Sequence, residues 1–213
     1  MTDNSNREPG LVIEPGFRPE HRAVVAAGYW AAFSRKLRCP LGPEHKAIAF
    51  IEAVLDPFHA ISAVAPDGAF LGVAGFKTIR GAFVGGDWKA MASAYGRFGA
   101  FGRSLLIGIL ERECEPGTLL MDGIFVRPQA RGLGVGSALL DAIERAALAR
   151  GLNSVRLDVI DENPRARALY ERRGYEPHAQ RSIGLLKPVF GFSFATTMIK
   201  SMGAPGPDVE AAP

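Results

Sequence analysis

Ile124-Phe125-Val126-Arg127-Pro128-Gln129-Ala130-Arg131-Gly132-Leu133-Gly134-Val135-Gly136-Ser137-Ala138-Leu139-Leu140 passes from an apolar strand, through a polar loop and three alternating glycines, into the opening of an amphipathic helix. Glycines at a helix start let the main chain approach a ligand without Cβ interference. The unpaired N–H groups of the first helical turn favour negative charge there, so the loop reads as an anion site. Spacing decides which anion. A P-loop needs Gly-x-x-x-x-Gly-Lys-Ser/Thr, and no lysine lies near Gly136. The dinucleotide fingerprint needs Gly-x-Gly-x-x-Gly directly after a strand, whereas here the glycines alternate strictly and a polar loop, Arg127 to Arg131, intervenes. What remains is Arg131-Gly132-Leu133-Gly134-Val135-Gly136, which fits Arg/Gln-x-x-Gly-x-Gly.

A second segment lies one helix and one strand downstream. Ser154-Val155-Arg156-Leu157-Asp158-Val159-Ile160 alternates apolar and polar residues, as a strand does. It is followed by Asn163-Pro164-Arg165-Ala166-Arg167-Ala168-Leu169-Tyr170-Glu171-Arg172-Arg173-Gly174-Tyr175. Asn163 suits an N-cap, Pro164 the first helical position and Gly174 the left-handed position past a helix end. Together, over residues 119 to 177, these two motifs resemble the GNAT superfamily of N-acetyltransferases. That family carries the first motif between a strand and a helix and an Asn-x-x-Ala-x-x-Leu-Tyr helix before a Gly-Tyr start.

The resemblance implies acetyl-coenzyme A as donor and transfer to an amine, directly in a ternary complex. It implies that Arg131, Gly132, Leu133, Gly134, Val135, Gly136 and Ser137 hold the pyrophosphate, largely through main-chain N–H groups. The strand at Ile124, Phe125 and Val126 would pair with the pantetheine arm and polarise the thioester carbonyl, an oxyanion-type role. Tyr170 stands where the family often has a tyrosine that protonates the departing sulfur; the alternative is a tyrosine packed on the inner face of its helix. A phenol with a pKa near ~10 suits a thiolate of comparable basicity. An alkyl amine is mostly protonated at neutral pH, so a base is required. Asp122, on the glycine-loop strand, is the first candidate and Asp158 the second, each with a salt bridge as the structural alternative. Asn163 is expected to cap its helix and could also touch the coenzyme.

Other classes remain open at this stage. A coenzyme A-binding sensor or interaction module without turnover would carry the same motifs. A glycine loop followed by Asp158 on a strand also suits an S-adenosylmethionine methyltransferase, against which the Asn163 to Tyr175 match weighs. The net charge of +3 comes from basic residues dispersed among acids, so no nucleic-acid partner is expected. Arg165, Arg167, Arg172 and Arg173 are read as a solvated helix face or a phosphate contact. The four histidines show no ligand spacing, so no metal is expected. Two cysteines do not make a disulfide framework, and no apolar run reaches the ~20 residues of a membrane span, so a cytoplasmic protein is expected. Cys114 lies between Glu113 and Glu115, which would raise its thiol pKa and argue against a nucleophile.

The fold expected is α/β, a single domain with a central twisted mixed sheet flanked by helices, over residues 11–202. Residues 1–10 read as a flexible leader and 203–213 as a disordered tail. A strand is expected near Leu11 to Glu14 and a helix over Pro19 to Leu37, ended by Pro40, with Val24, Val25, Gly28, Ala31 and Ala32 on its packed face. A second helix follows over Glu44 to Leu55, with Ala47, Ile48, Ile51 and Leu55 inward. His59 to Ala65 and Ala69 to Ile79 form a hairpin about Pro66-Asp67-Gly68. Residues 85–117 are longer than the family pattern, with a helix over Arg103 to Glu113. Their Trp88, Tyr95, Phe98 and Phe101 would form an acceptor pocket or lid, or else cover a surface. Closing strands are expected near Tyr175 and over Phe192 to Ile199. The apolar segment Leu185 to Phe194 raises the idea of a homodimer. The acceptor is a small-molecule amine, a peptide N-terminus or a lysine.

Overall fold

The hairpin at Pro66-Asp67-Gly68 forms in the computed structural model, which describes residues 10–203; the leader and nearly all of the tail lie outside this range. Gly68 donates to the Ala65 carbonyl at 2.8 Å with φ at +86°, a conformation that favours glycine. The chain order is β1 (Val12–Pro15), α1 (Arg22–Leu41), α2 (Glu44–Val54), β2 (Ala60–Val64), β3 (Phe70–Thr78), β4 (Gly81–Ala82), α3 (Trp88–Leu110) and β5 (Thr118–Val126). It continues through α4 (Val135–Leu148), β6 (Ser154–Ile160), α5 (Pro164–Arg172), β7 (Glu176–Ser182), α6 (Lys187–Phe190) and β8 (Phe194–Ser201). The strands make one mixed sheet in the order β1-β2-β3-β5-β6-β8-β7, with β4 paired to the end of β3.

Helices cover both faces of this sheet. On one side, α4 presents Leu139, Leu140 and Ile143, all fully buried, to Ala74, Phe76, Leu119 and Met121 of the sheet. Each such side chain contributes roughly 1.5–3 kcal/mol of transfer free energy. On the other side, α1, α2 and the start of α3 bury Val25, Trp30, Ile51 and Met91 against Phe70, Val73 and Phe83.

Neighbouring strands run antiparallel except β5 and β6, whose parallel pairing covers only Thr118–Met121 against Ser154–Leu157. At the same point β5 bulges. Gly75 pairs with Gly123 and Phe76 with Met121, which leaves Asp122 as the extra residue. The pleat changes phase across it: Leu119 and Met121 face the α4 side before the bulge, Ile124 and Val126 after it. Asp122 and Gly123 therefore come side by side toward α1. Gly123 sits so close to Phe33 that a Cβ would stand 2.5 Å from the ring carbon Cζ.

Three expectations need correction. Pro40 does not end α1 but lies inside its last turn; a proline there removes a single helical hydrogen bond, and Gly42 N–H still reaches the Arg38 carbonyl at 2.9 Å. The packed face of α1 is also rotated: Val25, Ala26, Tyr29 and Trp30 are buried while Ala31 and Ala32 are exposed. In the 85–117 region the helix begins at Trp88, capped by the Asp87 carboxylate on Ala90 N–H at 2.8 Å, and is broken at Gly96 by φ of 72° and ψ of 160°. In the closing segment Phe190 and Phe192 are buried against Leu106, Ile109 and Leu110, while Leu185 and Phe194 are exposed.

Candidate functional site

Past Met121 and Leu157 the strands β5 and β6 part. Gly123–Val126 pair with β3 on one side and Asp158–Ile160 with β8 on the other, so each presents an unpaired edge to the space between them. Main-chain N–H and C=O groups seek partners, and a parted edge of this kind accepts an extended ligand as an added strand. The space is a cleft of about 740 Å³, within the ~300–1,000 Å³ usual for small-molecule sites.

One end of the cleft is the glycine loop. Gly132 and Gly134 hold φ at 83° and 76°, and Gly134 is the N-cap of α4. Among the described residues, no N–H from Gly132 to Ser137 makes a main-chain hydrogen bond; the first to do so is Ala138, which reaches the Gly134 carbonyl at 3.0 Å. Six successive donors and the positive end of α4 are thus left without main-chain partners at the cleft. Gly136 differs from the other two glycines: it has ordinary helical φ, and a Cβ there would meet Leu169 Cδ2 at 3.4 Å, a normal contact.

Of the residues expected at the site, Asp122, Ile124, Phe125, Val126, Arg131, Gly132, Gly134, Val135, Gly136, Ser137, Asn163 and Tyr170 all line the cleft. Leu133 does not; its side chain is exposed, and only its main chain belongs to the loop. Asn163 caps α5, accepting from Ala166 N–H at 3.2 Å. Tyr170, in the last turn of α5, is buried with its ring tilted against Tyr175 at 6.0 Å, and burial pushes its phenol pKa well up. The packed reading of Tyr170 fits this burial, and the ring also borders the cleft.

The other end of the cleft is charged. Burial raises the Asp122 carboxyl above its ordinary range, an effect opposed by Lys36, by a hydrogen bond from the main chain of Val84 and by Lys77. A carboxylate held in this way is a stronger base. Asp158 is tied down: Arg112 Nε donates to one oxygen at 3.0 Å and the Thr197 hydroxyl to the other at 2.6 Å. The salt-bridge reading fits Asp158, whereas Asp122 makes no ion pair within 4.0 Å among the described residues. Arg35 of α1 donates to Glu162, in the turn before α5, at 3.0 Å, and both line the cleft. The arginines of α5 divide. Arg165 and Arg172 line the cleft, whereas Arg167 pairs with Glu171 at 2.9 Å and Arg173 with Asp141.

The part of the wall that sequence reasoning missed comes mainly from α1, with Ala31, Ala32, Phe33, Arg35 and Lys36. Ala31 and Ala32 carried no sequence signal that set them apart from core residues. The aromatic residues of the 85–117 region stay out of the cleft. Phe98 and Phe101 are 98% and 71% exposed, while Tyr95 donates to the Leu41 carbonyl and lies under Arg103. Tyr95 therefore packs on the chain, while Phe98 and Phe101 cover little surface of the described residues. The Cys114 thiol is indeed pushed up, but by burial first and by Asp122, not by Glu113 or Glu115; Glu115 instead pairs with Arg156 at 2.6 Å. Among the described residues no group of three His, Cys, Asp or Glu side chains could hold a metal ion, and no helix is long and apolar enough to cross a membrane.

A mixed sheet that parts beside a glycine loop defines a class, and the chain belongs to it: the acetyltransferase (GNAT) family pattern matches residues 29–175. Membership sets aside the methyl-donor alternative. The chain is similar to mycothiol acetyltransferase of Beutenbergia cavernae, 49% identical over 61 residues, which are 27% of this chain and 20% of that relative. Three solved structures share the fold. An acetyltransferase has a TM-score of 0.58 at 20% identity, covering 90% of this chain and 99% of its own. The ribosomal-protein-S18-alanine N-acetyltransferase of Escherichia coli gives 0.54 at 16%, covering 94% and 99%. A GCN5-related N-acetyltransferase of Kribbella flavida gives 0.58 at 16%, covering 91% and 98%.

Proposed function

We propose that the chain moves an acetyl group from acetyl-coenzyme A to a primary amine, directly and without a covalent acyl-enzyme. The observation that carries this reading is the continuity of the glycine-loop donors with the unpaired edge of β5, which ends at Asp122. The N–H groups from Gly132 to Ser137 would take the pyrophosphate, with Arg131, Arg165 and Arg172 adding positive charge from the cleft wall. The β5 edge at Ile124, Phe125 and Val126 would hold the pantetheine arm and orient the thioester toward the bulge.

Asp122 would accept the proton that leaves the amine as it attacks, a role favoured by its raised basicity. Tyr170 would then supply a proton to the sulfur as the C–S bond breaks. Burial disfavours the phenolate, so the phenol stays protonated through the neutral range but is a weaker acid than the ordinary phenol matched to the thiolate above. Asn163 would support this indirectly by fixing the start of α5. Acceptors compatible with the cleft are small amines, peptide N-termini and lysine side chains.

Thiol release measured against a panel of amines tests the reading. Release that depends on both acetyl-coenzyme A and an amine supports transfer. Thermal stabilisation by acetyl-coenzyme A with no release for any amine supports a sensor or interaction module instead, and the absence of stabilisation overturns both.

A further inference from the structure

Among the described residues Lys36 is the only lysine that lines the cleft. It is half-buried near the end of α1, with its ammonium 4.8 Å from the centre of the Phe33 ring. Phe33 in turn packs on Gly123, beside the bulge where β5 and β6 separate. A chain of contacts therefore sets this amine at the charged end of the cleft, within the electrostatic reach of Asp122.

The other acids there are engaged. Asp158 is taken by Arg112 at 3.0 Å and Thr197 at 2.6 Å, and Glu162 by Arg35 at 3.0 Å. Lys36 itself makes no ion pair within 4.0 Å among the described residues, unlike Lys77 and Lys200, which pair with Glu111 and Glu144. Lys46, Lys89 and Lys187 are exposed and stand away from the cleft. Burial also lowers the pKa of the Lys36 amine, which increases its neutral, nucleophilic fraction.

We propose that Lys36 is a self-acetylation site: with no external amine in the cleft, its Nζ takes the acetyl group from the bound thioester. The proposal rests on the acetyl-transfer reading of the same cleft. Asp122 accepts one proton from the ammonium, and the free amine forms an N–C bond with the thioester carbonyl. The C–S bond breaks with its electron pair going to sulfur, and a second proton from the attacking nitrogen ends on the thiolate. The products are Nζ-acetyl-lysine, coenzyme A and one proton passed from Asp122 to solvent. Acetylation removes a cation that acts on Asp122 and fills the charged end of the cleft, so the modified enzyme turns over external amines more slowly.

The experiment incubates the full chain with acetyl-coenzyme A and no amine, then follows free thiol together with peptide mass spectrometry. The expected result is one acetyl group per chain on Lys36, with one equivalent of thiol. The rate should be first order and independent of protein concentration, and an added amine acceptor should suppress it. Asp122→Asn, verified as folded and still stabilised by acetyl-coenzyme A, should slow the modification by roughly 100-fold or more, as loss of a general base does. Acetylation of Lys46, Lys89 and Lys187 at rates similar to Lys36 overturns the proposal, as does a second-order rate. An unmodified Lys36 in a protein that releases thiol with an external amine overturns it while leaving the transferase reading intact. Absence of modification together with absence of donor binding overturns both.

Discussion

Replacing Gly134 with alanine places a Cβ on a residue with φ of 76° and ψ of −6° at the N-cap of α4. An L-residue in this left-handed region costs roughly 1–2 kcal/mol, and the cost can appear in two ways. If the loop keeps its path, the protein loses that stability, which for a domain of this size is a fall of about 2–8 °C in Tm at 2–4 °C per kcal/mol. If the loop instead relaxes, the unpaired N–H groups from Gly132 to Ser137 are displaced from the positions offered to the donor. The penalty then appears in donor affinity, up to roughly 5–30-fold at 1.4 kcal/mol per decade. Thermal denaturation with and without acetyl-coenzyme A separates the two, because their sum is fixed by the backbone strain. Gly136→Ala is the control. Its φ is ordinary and its Cβ makes a normal contact with Leu169, so it should hold or raise Tm, with a helix-propensity gain of up to about 1 kcal/mol. A Gly134→Ala protein with unchanged Tm and unchanged donor affinity refutes the reasoning, as does a greater loss of stability in Gly136→Ala.

Asp122→Asn should lower kcat/KM by roughly 100-fold or more and abolish the acidic limb of its pH profile, which in the parent lies above the ordinary carboxylate value of 3.8. The same residue gives a stability test. Its folded-state carboxyl holds a proton that the unfolded chain has already released, so stability falls as pH climbs from 3.8 through the raised value. Denaturant titrations across that interval should show a flatter dependence in Asp122→Asn. Tyr170→Phe should reduce kcat by roughly 100-fold with little change in donor KM; an unaltered kcat would exclude the proton-donor role. Arg35→Ala breaks an exposed pair with Glu162, so stability should change by less than about 1 kcal/mol while the acceptor KM shifts, measured by thiol release against a fixed amine.

The glycine loop and α5 were legible because their information is local. Helix caps, positive-φ glycines and the chain-order spacing of Arg131 to Gly136 depend on neighbours in sequence. The bulge at Asp122 was not legible, since it exists only as a register difference against Gly75 and Phe76 of β3. Ala31 and Ala32 read as core because a helix's apolar stripe does not say whether it faces protein or a ligand cleft. The first half of α3 was hidden by Gly96, Gly99 and Gly102, which weaken the helical pattern, although Asp87 carried a capping signal. The arginines of α5 needed their partners: Asp141 and Glu171 claim two of them and leave Arg165 and Arg172 for the cleft. Lys36 could be found only once Phe33 had been placed on Gly123.

Main-chain amide resonances followed during titration with acetyl-coenzyme A address the central claim most directly. The N–H groups of Gly132 to Ser137 and of Ile124 to Val126 should shift together and more than any others, saturating at one donor per chain. Shifts centred on the separate groove lined by Arg38, Cys39 and Val189, with the glycine loop unmoved, would contradict it.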